Sequence, residues 1–337
     1  MGDVALTAPV IHSVLESNPN VEITFLSRGF FEPLFNKSKQ FKFVSADLQN
    51  EHKGVLGLRK LYKELKAEKF DAVVDLHDVL RTKIIRTFFK FDGTPVYKID
   101  KGRKEKEDIV LKRKPLRELK HTQQRYLDVF QEAGISASLQ TKAFLKVEND
   151  AVIIQFLAPF SEKTIIGIAP FAAHWTKEIE GGRLLDVIKH LTIQKEFIVL
   201  LFGGGKNEEK VLRGIAQQHE NCFNVAGKFS FQQELILMNQ LAVMIAMDSG
   251  NMHLASLVNT KVVSIWTATH PYLGFSPYQN KDYYVQVPVS ELPCRPCTVY
   301  GKVRAKVQDD CALESIQKIT TEMIVEKVDL ALKTSEN

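Results

Sequence analysis

The residues best suited to chemistry follow an apolar run in the second half of the chain. After Val243–Met247 come Asp248, Ser249 and Gly250, and His253 stands five positions after the aspartate. Small polar residues between a strand and a helix direct backbone N–H groups at an anion. Helix capping by Asp248 or Ser249 is the simpler explanation, but it does not require the histidine. We therefore predict a binding site formed by Asp248, Ser249, Gly250, Asn251, Met252 and His253.

A second candidate is the glycine turn Gly203-Gly204-Gly205, which follows the apolar run ending at Phe202. It matches neither a P-loop nor the dinucleotide fingerprint, because Asn207 and Glu208 stand where those motifs need Ser/Thr and glycine. A flexible turn lets the backbone approach a ligand, and Glu208 and Glu209 could accept hydrogen bonds from ribose hydroxyls. A purely structural tight turn explains the glycines equally well.

The third candidate is Asp3, near the start of the sequence. A doubly wound half normally opens with a buried strand, and here Met1-Gly2-Asp3 leads instead to a predicted helix over Val10–Leu15. Asp3 is therefore expected in the loop that would follow a first strand. Either this half-sheet lacks a strand, or the true chain begins some ten residues earlier. Taken alone, Asp3 would be an unremarkable acid at a frayed terminus.

The elements that must position these residues alternate between β-branched runs and amphipathic stretches. The predicted strands are Val21–Leu26, Asp71–Leu76, Thr164–Ala169, Phe197–Phe202, Val243–Met247 and Lys261–Trp266, and the predicted helices include Val55–Ala67, Lys83–Phe91 and Leu313–Leu332. Near-continuous apolar strands are typical of parallel sheets covered by helices on both faces. The sequence thus predicts an α/β protein with domains over residues 1–150 and 151–337, the second ending in a C-terminal helix.

Composition excludes several classes of protein. The 337 residues include no run of the roughly 20 apolar residues that a membrane span needs, and we expect a cytoplasmic protein. Residues 98–120 hold ten basic and five acidic side chains, an excess equal to the net charge of +5 of the whole chain. A partner bearing phosphate or carboxylate groups, or an anionic membrane surface, would suit this segment, although a solvated face explains it too. With only Tyr97 nearby for base stacking, nucleic acid is not expected.

The cysteines Cys294, Cys297 and Cys311 have C-x2-C-x13-C spacing. A zinc site would need a fourth ligand, and Cys222 belongs to a different strand region. We therefore expect buried or free thiols here and no bound metal.

Several of these segments together carry a family resemblance. They are Gly2-Asp3-Val4, Asp71–Leu76 with His77 and Arg81, Ala169–Ala172 before Lys177, Phe202–Gly205 with Glu208 and Glu209, Asn224–Lys228, Asp248–Ala255 and Cys294–Cys297. In order and spacing the chain resembles the lipopolysaccharide heptosyltransferases of glycosyltransferase family 9 over nearly its whole length.

The resemblance implies a GT-B fold, with two Rossmann-like doubly wound domains facing across a cleft and the first strand of the N-terminal domain missing. It implies an inverting transfer of heptose from ADP-heptose, with Asp3 as the base that deprotonates the acceptor hydroxyl. Lys177 and the amides of Ser249–Met252 would hold the diphosphate. Glu208 or Glu209 would hold the ribose, and Asp248 the heptose or its neighbouring backbone.

For the acceptor, the resemblance implies an inner-core glycolipid of the lipid A/Kdo type, ending in Kdo or heptose. Arg81, His77, His121 and Arg125 are the matching residues, although the last two would be ordinary helix-surface residues if taken alone. Such an enzyme would work at the cytoplasmic face of the inner membrane, in peripheral contact with it, without a cofactor; a need for Mg²⁺ is open. Two alternatives stay open: a catalytically silent sugar-nucleotide-binding protein, and a GT-B epimerase acting on a UDP-sugar.

Overall fold

A computed structural model describes residues 1–140 and 144–333, which divide into two compact units. The first consists mainly of Asp3–Gly102 and Lys120–Leu145. The second contains the chain from Lys146 onward together with Arg103–Leu119, a segment that a boundary near residue 150 would leave in the first unit. No helix in the described ranges is long and apolar enough to cross a membrane.

The first unit is built from two parallel strand pairs and the helices around them. Its elements are α1 (Gly2–Ser17), β1 (Ile23–Ser27), β2 (Phe41–Ser45), α2 (Gly54–Lys66), β3 (Val73–Asp75), α3 (Leu80–Phe91) and β4 (Val96–Lys98); α4 (Arg103–Val110) belongs to the second unit, and α5 (Thr122–Glu132) returns to the first. Ile23 of β1 lies opposite Phe41 of β2, and Val73 of β3 opposite Val96 of β4. Among the described residues, no further strand joins the two pairs.

Helix α1 begins eight residues before the predicted start at Val10. The prediction was wrong because Pro9 suggested a helix start, whereas the helix runs through it. Proline removes one backbone hydrogen bond, which the burial of Ala5, Leu6 and neighbouring apolar residues offsets. Asp3 therefore lies in the first helical turn rather than in a loop, where a carboxylate interacts favourably with the helix dipole.

The core of the first unit forms where α2 and α3 pack together. Leu58, Leu61 and Leu65 lie on one face of α2 and, with Ile85 and Phe89 of α3, form a buried cluster. Their spacing of three, four or seven residues is the periodicity of an amphipathic helix, so the sequence alone predicts which face of α2 is buried.

The second unit holds a single parallel sheet flanked by helices. Its elements after α4 are α6 (Ala151–Leu157), β5 (Thr164–Ala169), α7 (Gly181–Ile193), β6 (Phe197–Leu201), α8 (Lys206–Ala216), β7 (Cys222–Asn224), α9 (Phe231–Asn239), β8 (Val243–Met247), α10 (Gly250–Leu257), β9 (Lys261–Trp266), β10 (Tyr284–Gln286), α11 (Lys306–Lys318) and α12 (Thr321–Lys333). The strand order is β10-β9-β8-β5-β6-β7, and all the strands are parallel. From β5 the chain adds β6 and β7 on one side and then returns to add β8, β9 and β10 on the other, so the order reverses between β5 and β8. This is the doubly wound order whose ligands bind beyond the carboxyl ends of the two strands at the reversal.

The C-terminal helix predicted over Leu313–Leu332 is in fact two helices. Helix α11 ends at Lys318, where Ile319 takes up an extended conformation, and α12 begins at Thr321. Two β-branched residues separate the helices, and the Thr320 hydroxyl accepts a hydrogen bond from the Met323 N–H at 3.3 Å. Such a side-chain cap starts a new helix rather than continuing the old one.

The loop between β10 and α11 is anchored by a buried arginine. Arg295 is fully buried and its guanidinium donates to the carbonyls of Trp266 at 2.7 Å, Thr267 at 2.8 Å and Thr269 at 2.8 Å, and also to that of Val287. Because a guanidinium carries five N–H donors in a fixed plane, one side chain serves four backbone acceptors, of which the Thr267 carbonyl also accepts the Ser315 hydroxyl.

We expect Arg295→Met to lower the free energy of unfolding of the second unit by at least about 3 kcal/mol, since each buried acceptor left without a donor costs about 1–3 kcal/mol. Both tryptophans, Trp175 and Trp266, lie in this unit, so fluorescence during urea unfolding reports on it alone. Arg304→Met, at an exposed position, is the control and should leave the midpoint unchanged. Equal midpoints for the two variants would contradict the anchoring role.

Candidate active site

The reversal point of the second sheet carries a buried ion pair. Lys177 ends the 3₁₀ turn Trp175–Lys177 after β5, and Asp248 directly follows β8. The Lys177 Nζ lies 2.9 Å from the Asp248 Oδ2, and the two side chains are only 14% and 9% exposed. Adjacent parallel strands end at the same edge of a sheet, which is why residues 71 positions apart meet here.

The Asp248 Oδ2 has two partners, whereas the lysine retains donor capacity. The Thr269 hydroxyl donates to the Asp248 Oδ2 at 2.8 Å, and the Lys177 Nζ also donates to the Asp248 carbonyl at 3.2 Å. An ammonium has three N–H donors, so one remains for a ligand after these two contacts. Asp248 thus acts as the group that fixes the lysine in place.

The start of helix α10 supplies backbone donors at the same edge. Ser249 is the N-cap residue, but its side chain makes no capping hydrogen bond, and its Oγ is enclosed without a partner among the described residues. Capping by Asp248 or Ser249 therefore does not explain the motif. The N–H groups of the first helical turn, Gly250–Met252, lack intrahelical acceptors and suit an anion. The Met252 and His253 side chains are buried.

The predicted carboxylates after the glycine turn occupy different surroundings. The Glu208 Oε2 accepts the Gly204 N–H at 2.7 Å, so this side chain closes its own turn. Glu209 pairs with Arg213 and lines a surface cavity of about 650 Å³ together with Asn224 and Lys228. Gly205, at a φ of +84°, gives the turn a conformation that glycine adopts most easily.

In the first unit, Asp3 and His77 come together. The His77 Nε2 lies 3.7 Å from the Asp3 Oδ2, and their side chains are 52% and 56% exposed. Two hydroxyls hold the backbone of Asp3. The Tyr126 hydroxyl of α5 donates to the Asp3 carbonyl at 3.4 Å, and the Thr7 hydroxyl of α1 donates to the same oxygen at 2.8 Å. The structure thus presents a carboxylate and an imidazole side by side on an accessible surface.

His77 is held in place by a charged cluster that the sequence did not reveal. The Asp75 Oδ1 accepts the N–H groups of His77 at 3.0 Å and Asp78 at 2.9 Å. The Arg86 Nη1 lies 2.8 Å from both Asp75 Oδ2 and Asp78 Oδ1. The sequence signal that could have revealed this cluster is the pair Asp75 and Asp78 on either side of Leu76-His77. Arg86 follows eight residues after Asp78, on the inner face of α3. We regard Asp75, Asp78 and Arg86 as positioning residues.

The surroundings of His77 favour the neutral form of its ring. Its pKa is lowered, mainly because burial penalises the charged ring, and the Lys101 and Arg81 charges lower it further. The Asp3 and Asp75 carboxylates act in the opposite direction without cancelling these effects. Arg81, exposed in the first turn of α3, is thus close enough to act on this pair electrostatically.

The other two predicted acceptor residues have structural contacts. The His121 Nδ1 accepts the Gln123 N–H at 3.3 Å and caps α5. Arg125 is 6% exposed, and its guanidinium donates to the carbonyls of Lys120 and Asp100, both at 3.2 Å. A helix-surface position is therefore wrong for Arg125, which instead joins α5 to the loop after β4.

Some basic side chains of segment 98–120 pair with acids of the same segment. Arg113 and Lys114 lie 3.5 and 3.8 Å from the Asp108 carboxylate, and Arg117 lies 3.9 Å from that of Glu105. Lys106 is buried against the Phe275 ring, 4.1 Å from its centroid. These contacts leave the net charge of the segment unchanged, but they take Lys106 off the exposed surface.

Potential metal ligands gather at two places in the described residues, both outside these sites. One is Glu51, His52 and Glu64, where the Nε2 of the buried His52 lies 3.2 Å from the Oε2 of the exposed Glu64. The other is the cysteine group Cys294, Cys297 and Cys311.

A doubly wound sheet with a lysine and helix amides at its reversal point is typical of proteins that bind anionic ligands of the nucleotide type. Residues 58–307 match the model of glycosyltransferase family 9, the heptosyltransferases, and the chain belongs to this family. It is therefore a glycosyltransferase, with the GT-B fold.

Known proteins agree with this placement. The chain is 24% identical to the lipopolysaccharide core heptosyltransferase OpsX of Haemophilus influenzae, covering 87% of this chain and 86% of that protein. The structure of a family 9 glycosyltransferase from Veillonella parvula is similar, with a TM-score of 0.74, 18% identity and coverage of 99% and 94%. The structure of the Escherichia coli ADP-heptose LPS heptosyltransferase II is also similar, with a TM-score of 0.67 and 16% identity. The match covers 99% of this chain and 96% of that one.

The surroundings of His77 predict a lowered pKa for its imidazole. We expect the midpoint of an NMR pH titration of His77 to lie below 6.5. Asp3→Asn should lower it further, because this carboxylate favours the imidazolium, and Lys101→Met should raise it. His77→Asn identifies the resonance. A midpoint above 6.5 in the wild type, or shifts of the opposite sign in the variants, would contradict the described surroundings of the ring.

Proposed function

We propose that this glycosyltransferase transfers heptose from ADP-heptose to the inner core of lipopolysaccharide, onto Kdo or a first heptose. The observation that carries the proposal is the buried Lys177–Asp248 pair at the reversal point of the second sheet, in a chain of the heptosyltransferase family. The names of two similar proteins, the lipopolysaccharide core heptosyltransferase OpsX and ADP-heptose LPS heptosyltransferase II, support the donor and the class of acceptor.

The second unit would bind the donor. The remaining Lys177 N–H and the amides at the start of α10 offer positive potential to a diphosphate, and the Ser249 hydroxyl is available to a phosphate or sugar oxygen. These groups also stabilise the charge that develops when ADP departs, because fixed donors in a partly buried site need little reorganisation. Glu209, on the cavity beyond β7, is the better placed of the two carboxylates for a ribose hydroxyl, since Glu208 closes its own turn.

Asp3 would act as the general base. A sugar hydroxyl is a weak nucleophile, so its proton must pass to a fixed acceptor as the new bond forms. We propose that the Asp3 carboxylate takes this proton, the acceptor oxygen bonds to the anomeric carbon, and the bond from that carbon to the phosphate oxygen breaks, ADP leaving with the electron pair. A single displacement of this kind inverts the anomeric configuration. Neutral His77, beside Asp3, keeps that carboxylate oriented without neutralising it.

Arg81 would meet an acid group of the acceptor. It is exposed in the first turn of α3 and acts on the same histidine that contacts Asp3. A guanidinium binds carboxylate or phosphate in two-pronged geometry, which suits a Kdo-type glycolipid. An acceptor of this type implies work at the cytoplasmic face of the inner membrane.

The central test is Asp3→Asn in an assay of ADP release from ADP-heptose with a Kdo-bearing or heptose-bearing acceptor. We expect the wild type to release ADP only when the acceptor is present. The variant should be about 10²–10⁴-fold slower, the usual contribution of general base catalysis. Its affinity for ADP, measured by calorimetry, should stay within a factor of about two, because the base does not contact the nucleotide in this proposal.

Asp71→Asn is the matched control, an exposed aspartate of the same unit that should keep full activity. ADP binding without acceptor-dependent release would instead indicate a silent sugar-nucleotide-binding protein. Conversion of a UDP-sugar without any acceptor would indicate an epimerase. A large loss of ADP affinity in Asp3→Asn would reassign that residue to donor binding.

A second variant tests the donor site. Lys177→Met should weaken ADP binding about 10- to 100-fold, since a hydrogen bond to a charged group contributes about 1.5–3 kcal/mol. Lys177→Arg keeps the charge and should lose less, while Lys189→Met, on the exposed face of α7, serves as the control. Unchanged ADP affinity in a folded Lys177→Met protein would rule out the proposed contact.

A further inference from the structure

Three cysteines from two separate segments converge in the second unit. Cys294 and Cys297 lie in the loop anchored by Arg295, and Cys311 lies in α11. Their Sγ atoms all lie within 4.8 Å of one another, and the Cα of Cys311 is 6.0 Å from that of each partner. Cys311 can form a disulfide with only one of the other two cysteines at a time, so a disulfide would leave the third sulfur as a thiol.

The surroundings of this triad, Cys294, Cys297 and Cys311, are apolar. Cys297 is 2% exposed and Cys311 5% exposed, and both pack against Ala268 and Ala312. Several soft sulfur atoms close together in largely apolar surroundings form the donor set that selects thiophilic metal ions such as Zn²⁺, rather than Mg²⁺ or Ca²⁺. From the sequence we expected buried or free thiols and no bound metal here, because a zinc site would need a fourth ligand; the spacing alone does not show that the three sulfur atoms converge.

We propose that Cys294, Cys297 and Cys311 bind a thiophilic metal ion of the Zn²⁺ class through three thiolates. Among the described residues, no fourth His, Cys, Asp or Glu atom lies within the same distance. Water or another small molecule supplies the remaining position of a tetrahedral site, as in other zinc sites with three protein ligands. Binding releases the protons of those thiols that are protonated in the free protein, up to three per ion.

The position of the triad gives the ion a structural consequence. The Cys297 N–H donates to the Ala268 carbonyl at 2.8 Å, and the Ala268 N–H donates to the Thr176 carbonyl at 3.2 Å. Thr176 directly precedes Lys177. From α11, the Ser315 hydroxyl donates to the Thr267 carbonyl at 2.7 Å. An ion that joins α11 to the cysteine loop therefore fastens the backbone immediately behind the lysine of the candidate donor site.

The test is metal binding by the full chain, reduced and freed of metal by a chelator. We expect Zn²⁺ to bind at about one ion per chain with proton release, and Co²⁺ to give a thiolate-to-cobalt charge-transfer band. Cys294→Ser, Cys297→Ser and Cys311→Ser should each weaken binding by more than about 100-fold and reduce that band. Cys222→Ser is the matched control, a thiol buried in β7 whose pKa burial raises to about 12, and it should bind as the wild type does.

Alkylation of the wild type keeps the proposal testable if a serine variant fails to fold. Zn²⁺ should protect three thiols from alkylation under native conditions, and a chelator should expose them again. Absence of Zn²⁺ and Co²⁺ binding by the reduced protein would overturn the proposal. A mass lower by two hydrogens, with Cys311 paired to Cys294 or Cys297 and no metal uptake after reduction, would show a disulfide instead. None of these measurements uses glycosyl transfer, so their failure leaves the proposed function untouched.

Discussion

A lysine and an aspartate held 2.9 Å apart at the reversal point of a parallel sheet organise the second unit. Removing two charges from water is costly, and the pair offsets this through close contact and through the Thr269 hydroxyl and the Asp248 carbonyl. The remaining N–H of the ammonium is therefore presented in a fixed place. Since β5 and β8 are neighbours only in this strand order, the sheet topology itself creates the site.

In the first unit, His77 and Asp3 are held in place by hydrogen bonds and ion pairs of neighbouring residues. Arg86 bridges Asp75 and Asp78, and Asp75 in turn accepts the backbone N–H of His77, so a half-exposed imidazole stands on a rigid support. Asp3 reaches the same place from a helix whose first turn is secured by Thr7 and Tyr126. The role of general base that we propose for Asp3 would require accurate positioning, and these supports hold the residue more firmly than a loop would.

Both sites rest on side chains that do no chemistry themselves. In the second unit, Arg295 and the three cysteines lie on the segments that pack behind Lys177, and they hold irregular backbone that no sheet or helix stabilises. Irregular backbone leaves polar groups to be satisfied, and a buried guanidinium does so with one side chain. The loops that carry function are thus fixed by local contacts rather than by regular secondary structure.

The sequence by itself determined the class of fold and the place of the donor-type motif. Strands Thr164–Ala169, Val243–Met247 and Lys261–Trp266 have the predicted bounds, because fully buried parallel strands are apolar throughout and stand out from their surroundings. It also drew attention to Lys177, Asp248 and Asp3 as separate residues, although their roles stay predictions.

Only the tertiary structure decided which of these residues meet. Pro9 concealed the true start of α1, and Arg125 became a buried anchor because its partners, the carbonyls of Lys120 and Asp100, are set by loop geometry. The Lys177–Asp248 pair, the Asp75–Arg86–Asp78 bridge and the convergence of Cys311 with Cys294 and Cys297 join residues 8 to 71 positions apart. Periodicity encodes which face of an element is buried, but contacts between segments depend on strand order and chain path, which no local pattern records.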